Sequence, residues 1–537
     1  MFRPNLPPVE TPSGWWNSRI FLALLVLAAA IPLLRPDIAP VTDLMGHMGR
    51  YRVEISDPDS QLRNLYYDFR WALIANLGVD LLILPMAKIF GLELGVKLIV
   101  MAIPMLTVSG MLLIAREVHG RVPPVAFFAL PLAYSYTFQW GFVNFLLSMA
   151  LAFNAWALWL RLGRTGRLRL RAGLFVAIGI ILYIAHVFGW AVLCLLAFAS
   201  EVVRFRDRGR GFIASIWYGG WACLPLAPPL LLMALWRSGD AKGGNADWFY
   251  WRAKYVYMLS ALRNHVRWFD IASISLLWAL IALGLTRLGL LMNRTLGIAA
   301  LLLGIAYLLL PRVLIGSAYA DMRLAPYVVM VAVIGLSLRT PSRLVAQIVA
   351  VLGIAFFAAR LTVSTIHYAE IDRLHTDQLR AIDHMKEGAR VFAMVELRCL
   401  GLWDSSRMEH LGAMVIVRRR GFVNGQWTAA GAQLITIKYA PAKGYAEDPT
   451  QILRPGRCRQ RGAKRYPEGL YTLPPGAFDY VWLIDMPRSK WRAFPGLTPI
   501  WNGGARGLLY RVDPPREKAP ARPWSGPVAV NVERETG

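Results

Sequence analysis

Long apolar runs alternate with short polar connections through about residue 360. That pattern predicts a polytopic α-helical membrane protein. The first run, 20–34, ends at Arg35 and Pro36. It is read as a retained helix and not a cleaved leader, because many apolar runs follow it and Trp15 and Trp16 extend it as interfacial anchors. The run 71–90 holds Asn76, Asp80, Pro85 and Lys88, a poor composition for a bilayer core, so it is assigned to the membrane surface. The run 92–114 is assigned as a full span. Residues 123–138 and 142–160 cross and return, which places the basic loop 161–171 on the cytoplasmic side. The run 172–203 has basic loops at both ends, so it is expected to leave and return as a short-legged hairpin with its tip at 186–190. Runs 212–235, 271–286, 296–315, 324–338 and 344–357 complete 11 membrane segments, with the N-terminus inside and the C-terminus outside.

Beyond residue 361 the apolar runs stop. A helical pattern covers 371–386, and short β-rich runs follow at 391–396, 413–417, 434–439, 480–484 and 508–512, separated by turn clusters such as Asn424-Gly425. The expected organisation is a transmembrane domain over 1–361 with a first outer loop at 35–92, a small soluble α/β or α+β domain over 362–512, and a flexible Pro- and Arg-rich tail over 513–537.

Composition sharpens this picture. With 56% hydrophobic residues and 20 Trp among 537, the chain is too apolar for a soluble protein of its length. The net charge of +26 would ordinarily point to nucleic acid. Here much of the basic charge lies in short loops between apolar runs, where it sets topology and meets anionic headgroups, so a nucleic-acid partner is excluded. Cys194 and Cys223 lie in apolar runs and read as packing residues. Cys399 and Cys458 lie in the polar region and can pair if it faces an oxidising compartment. No metal-ligand spacing of Cys and His is present.

The candidate chemistry sits in 37–70, the long polar stretch of the N-terminal half. It interleaves Asp37, Asp43, His47, Glu54, Asp57, Asp59 and Asp68 with Arg50, Arg52, Arg63 and Arg70. Loop charge brings 37–70, 186–190, 236–270 and 316–323 to one membrane face. Carboxylates and guanidiniums on that face suit a charged, lipid-carried substrate.

This arrangement resembles the GT-C superfamily of integral-membrane glycosyltransferases over roughly residues 20–360. The likeness rests on the acidic first outer loop, the amphipathic surface helix ending in Phe90-Gly91, the span after it, and the hairpin with a central His. The resemblance implies an inverting transfer of sugar from a polyprenyl phosphate to a glycan, lipid or protein acceptor on the outer, periplasmic face of a bacterial inner membrane. It also implies that an early acid of the first outer loop acts as base or holds a divalent metal, and Asp43 occupies that place. Thr42-Asp43 stands where some subfamilies carry Asp-Glu, so no cofactor is assigned.

His47, four residues on, shares a helical face with Asp43 and would position it or the acceptor. The lipid phosphate needs cations. Arg323 and Arg312 lead, Arg252 and Lys254 stand behind them, and Arg63 and Arg70 serve equally. His186 and Asp321 complete the set. Plainer readings stand beside these: Asp43 as a helix cap, Asp321 paired with Arg323, and Arg252 and Lys254 reaching for headgroups. Two other functions compete, a transporter or flippase for a lipid-linked or anionic solute and a non-catalytic scaffold for envelope assembly.

Overall fold

The computed structural model describes residues 14–235, 244–314, 318–340, 342–397, 399, 403, 406–429, 432–454, 458 and 463–514. The expected tail beyond 514 lies outside them. The chain is mostly helical, with a partly sheet C-terminal region. Among the described residues, six helices are long and apolar enough to cross a membrane: Leu92–His119, Val143–Arg164, Leu168–Ala185, Val187–Asp207, Arg267–Leu285 and the one that begins at Arg343. A bent pair, Phe212–Ala222 with Leu224–Ala234, adds a seventh if it crosses as one span.

By length and composition, six or seven spans are thus found among the described residues, which does not confirm the count of eleven. The other segments are short helices, Arg19–Ala28, Arg294–Leu309 and Ala325–Ile334, and one run without α-helical geometry. That run, Pro124–Tyr134, is a 3-10 helix buried along its whole length. Pro131 inside it lacks an N–H donor and clashes with the preceding turn, which disfavours an α-helix there. Continuous burial by neighbouring helices lets such a segment persist where lipid would not.

The surface-helix expectation for 71–90 meets a helix of only 13 residues, Gly78–Phe90. Its length of about 20 Å is less than a hydrocarbon core. Gly91, at φ +78°, breaks it from Leu92–His119. The short-legged hairpin is corrected. Its legs are 18 and 21 residues long, because the helices extend into the basic flanks and take in Arg169, Arg171, Arg204 and Arg206. Arg171 is affordable there because Glu201 accepts from it at 2.6 Å.

The change of composition at 362 falls inside one unbroken helix, Arg343–Leu379, about 55 Å long. It leads into a mixed sheet in which Arg390–Glu396 runs parallel to Phe422–Val423, Ile452–Leu453 and Tyr480–Pro487. Tyr480–Pro487 pairs antiparallel with Arg506–Val512, which pairs antiparallel with Leu497–Asn502. The run 413–417 is not a strand but part of a buried turn and helix, Met414–Arg419. A short, wholly apolar run does not reveal its period, and this one packs on the Leu44–Ile55 helix.

Two contacts lock the N-terminal part of the chain to the C-terminal region. Tyr67–Phe69 pairs antiparallel with Ile435–Ile437, and Arg418 donates twice to Glu93, at 3.0 and 2.9 Å. Cys399 and Cys458 are joined by a disulfide, their Cα atoms 5.7 Å apart.

Candidate active site

Asp43 precedes the Leu44–Ile55 helix at the capping position, yet its carboxylate bonds none of the helix's first N–H groups. Its backbone is held elsewhere. Asp43 N donates to Trp140 O at 2.9 Å, and Thr42 N donates to Gln139 O at 3.2 Å. Gly141, at φ +86°, makes that junction, and a Cβ there would meet Asp43 N at 3.2 Å. The carboxylate is therefore free of helix duty, with 18% of the side chain exposed.

Two histidines and one arginine stand near it. His410 Nε2 lies 3.7 Å from the Asp43 carboxylate. His47 stands one turn along the helix. Trp427 packs against both rings, at 5.4 Å from His47 and 4.3 Å from His410. The indole occupies space that exists because residue 46 is glycine, where a Cβ would sit 1.8 Å from it.

Burial pushes the Asp43 carboxyl well above the usual carboxylate range. Glu409 and, to a lesser degree, Asp448 add to the rise, while Arg323 opposes it. Burial pushes His47 well down, reinforced by Arg50, His410 and Arg323. Burial also lowers His410, against Asp448 and a backbone hydrogen bond at Gly425. Both imidazoles are thus neutral near pH 7, and the Asp43–His410 approach is a polar contact and not an ion pair.

Arg323 sits in the turn before Ala325–Ile334. Its guanidinium lies over the Phe142 ring at 4.5 Å, with Phe145 at 5.8 Å. Burial pulls its pKa down to about 10, against Asp43, so it stays charged at neutral pH. His186 fills the break between the Leu168–Ala185 and Val187–Asp207 helices. Its Nδ1 accepts from Phe188 N at 3.2 Å, which puts the ring proton on Nε2. That Nε2 lies 3.5 Å from Arg323 Nη1. Two donors side by side do not bond one another; together they suit an anion.

Behind Asp43 the helix is anchored by charge. Arg50 pairs with Asp80 at 2.6 Å, both side chains fully buried, and Asn144 donates to Asp80 at 2.9 Å. Glu54 on the same face is pushed up to about 9 by burial and by Asp80, so it holds a proton at neutral pH. Buried Arg407 donates to Pro40 O and Gln139 O, both at 2.9 Å, and to Gln139 Oε1 at 2.7 Å. It thereby ties the segment that carries His410 to both strands of chain beside Asp43.

The structure brings together Asp43, His47, His186 and Arg323 from the sequence set. The rest lie elsewhere. Lys254 pairs with Asp321 at 3.1 Å and donates to Tyr307 O and Leu310 O at 2.9 and 2.8 Å. Asp321 is thus held by Lys254, not by Arg323 as the plainer sequence reading supposed. Arg312 donates to Asp247 at 3.3 Å and to Tyr257 Oη at 3.2 Å. Arg63 donates to Phe69 O at 2.5 Å, and Arg70 is exposed beside Asp68 at 2.9 Å. Arg252 is exposed on the Trp251–Leu259 helix.

Sequence reasoning missed Arg407, Glu409, His410, Trp427 and Asp448. Arg407-Met408-Glu409-His410 was visible as a polar cluster before a buried apolar run. Nothing local linked it to Pro40, 367 positions away.

No family model matches the chain, and no curated protein matches it. Among solved structures the chain is similar to ArnT from Cupriavidus metallidurans. The crystal structure of that protein bound to undecaprenyl phosphate aligns with a TM-score of 0.49 at 11% identity, over 93% of this chain and 98% of that one. Its apo state aligns with a TM-score of 0.48 at the same identity and coverage.

Proposed function

We propose that the chain is an integral-membrane glycosyltransferase of the GT-C kind, which moves a sugar from a polyprenyl phosphate to an acceptor on the outer, periplasmic face of a bacterial inner membrane. One observation carries this reading. A half-buried carboxyl with a raised pKa, Asp43, shares a site with a buried arginine and a histidine whose donors converge, Arg323 and His186. A carboxylate made more basic is the better acceptor for a hydroxyl proton.

In the reaction the acceptor oxygen attacks the anomeric carbon as Asp43 takes its proton. The bond from that carbon to the phosphate oxygen breaks, and the polyprenyl phosphate leaves with the electron pair. Attack opposite the leaving group inverts the carbon. Arg323 and His186 Nε2–H hold the phosphate as its charge grows. Neutral His47 and His410 orient the acceptor, and Trp427 offers an aromatic wall. The soluble region's contribution of His410 and Trp427 makes it part of the site. The Cys399–Cys458 disulfide suits an oxidising outer compartment.

The transporter reading has less support. The one bent apolar helix pair among the described residues, 212–234, carries no ionisable side chain other than Cys223 and Tyr218. It therefore supplies none of the charged groups that broken transporter helices use. The deciding experiment measures transfer of radiolabelled sugar from a synthetic polyprenyl-phosphate donor to envelope extracts by purified protein. Wild-type transfer that disappears in Asp43→Asn, with thermal unfolding unchanged, supports the reading. Full transfer by Asp43→Ala sinks it.

A further inference from the structure

We infer that His265, His367 and Glu370 form a binding site for a divalent transition-metal ion of the zinc type. His367 and Glu370 are three positions apart on the Arg343–Leu379 helix and so share a face. His265 comes from the loop before Arg267–Leu285 and reaches the same spot. One ligand atom from each residue lies within 4.8 Å of the others. The two imidazoles stack at 4.0 Å with their planes 10° apart, so the exposed His265 ring would turn out of the stack to share an ion with His367.

A second observation points to a ligand. His367 is only 8% exposed, yet its Nδ1 has no hydrogen-bond partner, and the nearest acid, Glu370, stands at 3.9 Å. A buried imidazole nitrogen left unpaired is costly, and a metal ion would satisfy it. Ligands on a tetrahedral zinc stand roughly 3.3 Å apart. His265 and Glu370 are both exposed, so both can move the remaining distance. Two nitrogens and one carboxylate favour zinc, cobalt, nickel or copper over magnesium or calcium, and three protein ligands leave a fourth position for water.

The place of the cluster gives it a structural role. The 260–270 segment is already joined to this helix by Asn264 to Ser364 at 3.1 Å, Arg360 to Asp270 at 2.5 Å, and Arg360 to Leu262 O at 2.6 Å. The ion would close the solvent end of that joint. One position along the helix, Tyr368 donates to Gln139 Oε1 at 2.9 Å, and Gln139 borders the Asp43 segment.

The test uses the full chain in detergent, stripped with a chelator and titrated with Co²⁺, whose visible absorption reports its ligands, followed by displacement with Zn²⁺. One Co²⁺ per chain is expected, displaced by Zn²⁺, with a raised Tm. His265→Ala, at an exposed loop position, should weaken binding by more than about tenfold, since even outer-shell partners of a metal cost that much. Glu370→Gln should weaken it and change the Co²⁺ spectrum. The inference is overturned if the stripped chain takes up no Co²⁺, or if His265→Ala and Glu370→Gln bind it as wild type does, which would put the ion elsewhere.

Discussion

Two acid–base pairs, Asp321 with Lys254 and Asp43 with its histidines, are built in opposite ways. Asp321 and Lys254 are both buried, 3.1 Å apart, and the ammonium spends its remaining donors on Tyr307 O and Leu310 O. Every strong bond Lys254 can form is made within the protein. Asp43, by contrast, is part exposed and caps nothing. It faces neutral histidines, and burial and like charge raise its pKa. The first arrangement holds a fold together. The second keeps a group whose bonding is incomplete until something else arrives. Arg323 lies only two positions after Asp321, so neighbours in the chain have been divided between the two tasks.

The sharpest way to test that contrast is to remove each acid. Asp43→Asn should lower transfer by about 10²–10⁴-fold, the usual share of a general base, and leave the Tm unchanged. Asp321→Ala should do the reverse. It strands a buried ammonium and costs about 3–5 kcal/mol of stability, read from thermal or denaturant unfolding. If both variants unfold alike, the two pairs do not differ in kind.

A smaller effect concerns the cation. Arg323→Lys keeps the charge but loses the planar fork, so transfer should fall by roughly tenfold while binding of the donor weakens. Lys254→Arg is expected to leave donor binding alone.

The pH profile separates the pairs further. As the proposed base, Asp43 would act as a carboxylate, so transfer should rise with pH through its raised pKa. Glu409→Gln removes a like charge and should move that rising limb to lower pH; an unmoved limb would take Asp43 out of the base role. For stability the sign is opposite to the usual acid. The folded chain keeps the Asp43 proton where the unfolded chain has lost it, so this contribution fades as pH rises through the folded value.

Asp479 gives the ordinary case for comparison. Burial alone would raise it, but the hydrogen bonds from Arg390 and Lys386 prevail and hold it at about 2. Its stabilisation is present above pH ~4 and is lost as pH falls through about 2. Asp479→Asn should cost roughly 2 kcal/mol near pH 7 and almost nothing in strong acid.

Sequence alone was enough for the membrane class, for a helix ending at Phe90, for four of five C-terminal strand segments, and for a set of polar residues that includes Asp43, His47, His186 and Arg323. Those features are local. Apolar length sets what can enter a bilayer, loop charge sets which side a loop takes, and polar residues left over must gather at the surface. The tertiary structure alone decided the rest. It gave Lys254 to Asp321, brought His410 and Trp427 to Asp43, and set His265 against His367. A carboxylate's role depends on which partners satisfy it and how much water remains, and here those partners lie up to hundreds of residues away in the chain. The same sequence letter, Asp, therefore becomes a brace at 321 and a candidate base at 43 only once the helices have packed.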